Sequence, residues 1–205
     1  MKLLRIDSSA RRTGSHSREL GNVFEHLWGQ RFPDSAVASR DLVDSAVSHI
    51  HDETITAMFS PPEQHSPEMR AALSISDTLI SEVQEADALL LTVPMYNFGI
   101  PSALKAWIDH VSRIGHTFAY DGTNFTGLLT GKTAYVVVAY GADGYGTGGD
   151  FAAANFVEPY LAFLLKFLGF EQVHFFNVLA TNADPAAVPT SKAHVRSQMQ
   201  AALQS

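Results

Sequence analysis

Ala88-Leu89-Leu90-Leu91-Thr92-Val93-Pro94-Met95-Tyr96-Asn97-Phe98-Gly99 is the stretch that decides the fold. Its first six residues form a near-continuous apolar run, as in a strand buried on both faces, and Pro94 takes the chain out of the sheet. The turn that follows offers backbone N–H and C=O groups flanked by Met95, Tyr96 and Phe98. It leads straight into an amphipathic helix opening at Pro101, with Leu104, Ile108 and Val111 on one face. In an open α/β sheet, ligands sit outside the carboxyl ends of the strands at a switch point, which is where this turn would lie. Its mixture of amides and aromatic rings suits a flat, partly polar ring. An ordinary strand-to-helix turn with exposed aromatics fits the same residues equally well.

Outward from that point, short β-type runs alternate with helical patterns along the whole chain. Toward the N-terminus lie a strand at Leu3 to Asp7, a helix opening at an Ser15 N-cap with Leu20, Val23, Phe24 and Leu27 in register, and a second strand near Ala36 to Leu42. Val43 to His65 is rich in His, Ser and Pro and reads as irregular. Ser66-Pro67-Glu68 then supplies an N-cap, a first-turn proline and a dipole-favoured acid for a helix carrying Leu73, Leu79, Ile80 and Val83. Toward the C-terminus, Gly115 to Gly131 reads as a loop carrying Phe118, Tyr120 and Phe125. Thr133 to Tyr140 is the fourth strand, Phe156 to Leu168 a helix with Pro159 in its first turn, Gln172 to Val178 the last strand, and Pro185 to Leu203 the last helix. Five strands alternating with five helices predict a single α/β domain over residues 1–205. The expected architecture is a parallel sheet of order 2-1-3-4-5 with helices on both faces.

Composition narrows the function classes. The 205 residues are 46% hydrophobic and 17% charged, which is ordinary for a globular chain. A net charge of −7 without a dense basic cluster argues against nucleic acid and anionic membrane as partners. No cysteine is present, so disulfides, thiolate metal sites and a cysteine nucleophile are excluded, and any redox chemistry needs a bound cofactor. Met1 to Asp7 is too short and too soon charged for a signal peptide, and no apolar run approaches the roughly 18 residues of a membrane span. The expectation is a cytoplasmic protein.

Ser8-Ser9-Ala10-Arg11-Arg12-Thr13-Gly14-Ser15-His16-Ser17 joins the first strand to the first helix. An anion here would meet the unsatisfied N–H groups of a helix N-terminus and the hydroxyls of Ser9, Ser15 and Ser17. Without the Gly-Lys-Ser/Thr of a triphosphate loop or three spaced glycines, a terminal monophosphate fits best. Serines that only cap the helix and solvate a loop are an equal reading. Gly144 to Gly149 is a literal G-x-G-x-x-G, but it follows the fourth strand instead of the first and reads as a flexible loop. His49 and His51 lack a third ligand, so no metal site is assigned. His110 and His116, near Arg113 at a helix end, read as cations favoured by the C-terminal dipole. No hydrolase motif is present.

Taken together, the serine-rich loop, the Pro94 to Phe98 turn and the block Ala103 to Tyr120 resemble the FMN-dependent NADH:quinone oxidoreductase and azoreductase family, essentially from end to end. The resemblance implies a flavodoxin-like homodimer with one FMN per subunit. Such a protein reduces quinones by two electrons and cleaves aromatic azo bonds, with NADH or NADPH as donor in a ping-pong sequence. It further implies that Ser9, Ser15, His16 and Ser17 form the FMN phosphate loop, and that Met95, Tyr96, Asn97 and Phe98 lie along the isoalloxazine with backbone N–H groups toward its polar edge. Ala139, Tyr140, Gly141 and Ala142 stand in the flavin-contacting segment where the family has Ser-Arg-Gly-Gly, which leaves backbone contacts in place of side-chain ones. Tyr120 and Phe167 match aromatic positions beside the substrate, and Phe59 is read with them as part of an apolar roof. With the reactivity in the cofactor, no catalytic side chain is nominated. The alternatives are a flavodoxin-type one-electron carrier and an interaction module that has lost FMN.

Overall fold

The computed structural model describes residues 1–204. In chain order it contains β1 (Lys2–Asp7), α1 (His16–Arg31), β2 (Ala36–Asp41), α2 (Asp52–Met58), α3 (Pro67–Glu85), β3 (Ala88–Pro94) and α4 (Ser102–Val111), followed by β4 (Phe118–Tyr120), β5 (Phe125–Gly127), β6 (Thr133–Ala139), α5 (Glu158–Leu168), β7 (Gln172–Val178) and α6 (Val188–Ala202). The main sheet has five parallel strands in the order β2-β1-β3-β6-β7, the arrangement expected from the alternation of elements.

Strand alternation builds two cores from one sheet. Leu4, Ile6, Leu89, Leu91 and Val93 face the layer of α3, α4 and α5, where Leu79, Val83, Leu104, Ile108, Leu161 and Leu165 meet them. Leu3, Leu90 and Val137 point the other way, onto Leu20, Phe24 and Trp28 of α1 and Val195 and Met199 of α6. All seven residues of β3 are buried, as its unbroken apolar run requires. The caps form where the side chains allow. Ser15 accepts from the Arg18 N–H and Ser66 from the Met69 N–H, while Pro67 and Pro159 occupy first turns, where no N–H is missed.

Three stretches differ from the sequence-based expectation. The segment read as irregular holds α2 and a 3₁₀ turn at Pro62–Gln64. α2 packs on α3 through so few residues, Thr54 and Ala57, that its seven positions carry no readable period. The loop before β6 contains the antiparallel hairpin β4–β5, three residues a strand. The last helix begins at Val188, because Asp184 caps a turn ahead of it through the N–H groups of Ala186 and Ala187. The hairpin is fixed to the end of α5 by main chain. Leu129 N–H donates to Leu168 O at 2.9 Å, and a Cβ at Gly127 would collide with the backbone of Leu168 and Gly169. Gly169 closes α5 at φ 108°, a conformation only glycine adopts without strain.

Among the described residues no helix is long and apolar enough to cross a membrane, and no three His, Cys, Asp or Glu side chains converge as a metal site.

Candidate functional site

β1 and β3 are neighbours, yet the chain leaves β1 toward α1 on one face and β3 toward α4 on the other. That divergence opens a cleft of about 140 Å³ above the carboxyl ends of the strands. Ser9, Ser15, His16 and Ser17 form one side of it, Met95 and Tyr96 a second, and Ala139 and Gly141 a third. Asn97, Phe98, Tyr140 and Ala142 do not line it. Arg11, Gly14, Pro94, Thr181 and Asn182 line it as well, though the sequence reading assigned none of them to the site. Thr181 and Asn182 arrive because β6 and β7 pair Ala139 with Val178. The loop after β7 then closes back, with the N–H groups of Thr181 and Asn182 donating to the carbonyls of Tyr140 and Gly141. No motif in the sequence marks that meeting.

The α1 end of the cleft is built for an anion. Ser9, Ser15 and Ser17 are nine-tenths buried or more, and Ser15 and Ser17 share a hydrogen bond of 3.3 Å. His16 keeps its Nδ1 buried with no partner in the chain. Burial first, then the charges of Lys192 and Arg11, lower the His16 pKa below 6.5 against an opposing pull from Glu19, so the ring is neutral near pH 7. Beneath the loop lies a buried ionic floor. Arg18 grips Asp41 through both terminal nitrogens, at 2.5 and 2.8 Å, and donates to the Ser9 carbonyl at 2.7 Å. The Arg18 hydrogen bond holds the Asp41 carboxyl below its usual range. Asp7 accepts from Thr92 Oγ1 at 2.6 Å and from Arg5 Nε at 3.2 Å, completing the floor across β1 and β3.

The turn after β3 is tight and strained. Tyr96 and Gly99 exchange both backbone hydrogen bonds at 3.0 Å, and between them Asn97 (φ 48°) and Phe98 (φ 68°) are left-handed. Two such residues make a mirror-image two-residue turn, a conformation Asn tolerates and Phe resists. Met95 N–H donates to Ala139 O at 2.9 Å and Tyr96 N–H to Gly99 O, so neither is available to a ligand. Of the four amides in this segment, the N–H groups of Asn97 and Phe98 are the two without a partner among the described residues. Tyr96 reaches over the cleft, its hydroxyl 3.4 Å from Ser9 Oγ and accepting from Ala10 N–H at 3.3 Å.

Tyr140 turns inward instead, fully buried, its ring stacked on Tyr145 at 5.2 Å. Burial is the main cause that pushes its hydroxyl pKa well above the usual tyrosine value. Tyr120 and Phe167 belong to one aromatic group. Tyr120 stacks on Phe125 at 4.6 Å, Phe125 lies 5.5 Å from Phe167, and Phe118 closes the group at 4.9 Å from Phe167. Phe59 is not among them. It stands 81% exposed on the rim of a separate depression beside His65, Arg113 and His116. Neither group lines the cleft of its own chain. His110 and His116 also depart from expectation. Burial lowers both pKa values below 6.5, so they are neutral rings, with His110 Nε2 on the Ser48 carbonyl at 3.0 Å and His116 Nε2 facing Arg113 at 2.8 Å.

A family model described as a flavodoxin-like fold matches residues 1–203. An FMN-dependent NADH:quinone oxidoreductase of Xanthobacter autotrophicus is 56% identical over 171 residues, 83% of this chain and 82% of the relative. Another of that name from Nostoc punctiforme is 40% identical over 203 residues, 99% of this chain and 98% of the relative. Among solved structures, an FMN-dependent NADH-azoreductase from Bacillus anthracis in complex with FMN superimposes with a TM-score of 0.87 at 22% identity, covering 99% of this chain and 100% of that one. That likeness speaks to the fold, while the identity to the two relatives speaks to descent, and on both grounds the chain belongs to the flavodoxin-like FMN-dependent NADH:quinone oxidoreductase family.

Proposed function

We propose that residues 1–205 act as one FMN-binding domain, cytoplasmic and homodimeric, which reduces quinones by two electrons with NADH or NADPH and also cleaves aromatic azo bonds. The residues fit the cofactor. The orphaned His16 Nδ1, the three buried hydroxyls and the open end of α1 suit a terminal phosphate, and the two unpartnered amides of the Asn97–Phe98 turn suit the polar edge of a flat ring. Gly141 has Asn182 Nδ2 where a side chain would stand, 3.2 Å from the place of a Cβ, so the third wall presents main chain.

The single observation that carries this reading is the juxtaposition, across one switch-point cleft, of the serine loop with Met95 and Tyr96, the residues that lead into the left-handed Asn97–Phe98 turn. When bound, FMN supplies hydride acceptance and donation. The chain does the rest. Ser9, Ser15, His16 and Ser17 hold the phosphate, the turn orients the ring, and Arg18 keeps the Ser9 carbonyl from facing the anion by occupying it. The aromatic group of Tyr120, Phe125 and Phe167 excludes water from flat acceptors. Because that group lies off its own chain's cleft while Phe125 and Phe163 are 60% and 70% exposed, it serves the cleft of a second copy. This supports the homodimer. Donor and acceptor would use one exposed face in turn, which is the ping-pong order.

Visible spectra of the FMN-loaded protein, recorded without oxygen, test the reading. Bleaching by NADH and full recovery with benzoquinone, with no persistent one-electron-reduced band, are the expected results. A flavin that NADH does not bleach would make the protein a one-electron carrier. A protein that retains no FMN would remove the cofactor assignment altogether.

A further inference from the structure

The loop between β6 and α5, whose glycines read as flexible in the sequence, is held by specific contacts. Asn155, 91% buried, organises it from one end. Its Oδ1 accepts from the N–H groups of Val157 and Glu158, both at 3.2 Å, and from the Tyr140 hydroxyl at 3.4 Å. Its Nδ2 donates to the Tyr145 carbonyl at 3.1 Å. Tyr145 in turn stacks on Tyr140 at 5.2 Å and meets Phe151 at a tilt, 5.6 Å away. Gly149 and Phe151 close the loop on the carbonyls of Gly146 and Gly144. The residue after Asn155 makes the connection that matters: Phe156 N–H donates to the carbonyl of Phe98, 3.2 Å away.

Phe98 has little else to hold it. Its left-handed backbone is unfavourable for a residue with a bulky side chain, and that side chain is half exposed. A strained conformation persists only when its surroundings over-determine it. Here the determinants are the Tyr96–Gly99 exchange on one side and the Phe156 bond on the other. Tyr140 is the buried aromatic peg against which the loop is pinned.

We propose that Asn155 is a positioning residue: by pinning Tyr145 it anchors the loop, and through the Phe156–Phe98 hydrogen bond it holds the Asn97–Phe98 turn in the conformation that presents its two free amides. The inference rests on the reading of that turn as the flavin-ring contact. It adds the loop after β6 as the element on which the geometry of that contact depends.

Asn155→Asp separates the two duties of the side chain, keeping the oxygen that caps α5 and removing the donor that pins Tyr145. Tyr145→Ala breaks the same link from the far end. Each would be compared with the unaltered protein for FMN dissociation constant, visible spectrum and midpoint potential of the bound flavin, and melting temperature without FMN. The expected result is a five- to twenty-fold weaker FMN affinity with a shifted flavin spectrum and potential in both variants, together with a melting temperature lowered by at least a few degrees. Unchanged affinity, spectrum and potential would overturn the proposal, and so would a fall in melting temperature with the spectrum and potential intact, which marks a merely structural residue. Failure of the unaltered protein to bind FMN would instead overturn the cofactor reading itself.

Discussion

A neutral histidine with an orphaned nitrogen, set at the mouth of a helix among three serines, is a residue waiting for an anion. Protonated His16 binds a phosphate better than neutral His16 does, and in the free protein its pKa lies below 6.5. Affinity for FMN should therefore rise through His16 as pH falls from 7.5 to 5.5. Protonation of the phosphate itself, near pH 6, pulls the other way. His16→Gln should remove the histidine contribution and leave the phosphate one, which fluorescence titration of FMN across that range would reveal as a steeper loss of affinity toward low pH. Arg18 acts one layer deeper. Removing its charge-assisted bond to the Ser9 carbonyl, worth about 1.5–3 kcal/mol for a hydrogen bond to a charged group, frees the loop and leaves Asp41 unpaired. Arg18→Met should weaken FMN by about tenfold or more, whereas the same titration giving an unchanged constant would show the loop to be self-supporting. The serines and His16 were legible because hydroxyls crowded before an apolar helical period have few other uses. Arg18 was not, since its partner Asp41 comes near only after β1 and β2 pair in register.

Elements were legible in proportion to the length of pattern they display. β3 announces itself by seven consecutive buried residues, and α3 by an N-cap, a proline and a repeating apolar face over nineteen. α2 and the hairpin β4–β5, at seven residues and three a strand, span fewer than two full periods each, too few to identify them, and tertiary contacts decide them instead. The same limit hid the loop after β6, whose glycines look permissive in sequence but whose aromatic rings and Asn155 determine it. At this scale the hairpin gives a direct prediction. Phe125→Ala removes the ring that joins Tyr120 to Phe167, and should raise the KM for benzoquinone several-fold while leaving the FMN dissociation constant unchanged. Steady-state kinetics with saturating NADH would measure it, and an equal loss of FMN would place the hairpin in the cofactor site instead.

For the whole molecule, two properties follow from what is buried and what is bare. His110 is 1% exposed, its Nδ1 has no partner, and its pKa is lowered by burial. A depressed folded-state pKa contributes stability that is present above the unfolded value of 6.5 and lost as pH falls through the folded one. His16, His116 and His174 shift in the same direction. The melting temperature without FMN should therefore fall as pH drops from 7 to 5. His110→Gln, though less stable at pH 7, should show a shallower fall over that range by scanning calorimetry. The bare surface concerns assembly. Phe163→Glu places a charge on the 70% exposed ring beside Phe167. Sedimentation should show a dimer becoming a monomer that still binds FMN and has lost most of its quinone turnover. A monomer of full activity would show each cleft to be complete alone.

Gly127 and Gly169 touch main chain to main chain, with no side chain between them to yield. The hairpin and the end of α5 are one piece, so the aromatic wall they carry has a fixed gauge. If that wall borders the acceptor as proposed, acceptors should be sorted by outline, as coins by a slot, without the wall itself having to move. With no ordering step on entry, capture of a flat acceptor should run close to the rate of encounter. If donor and acceptor share one face as proposed, the slow step of turnover should fall to the exit, where the spent partner must vacate the face that the next one needs.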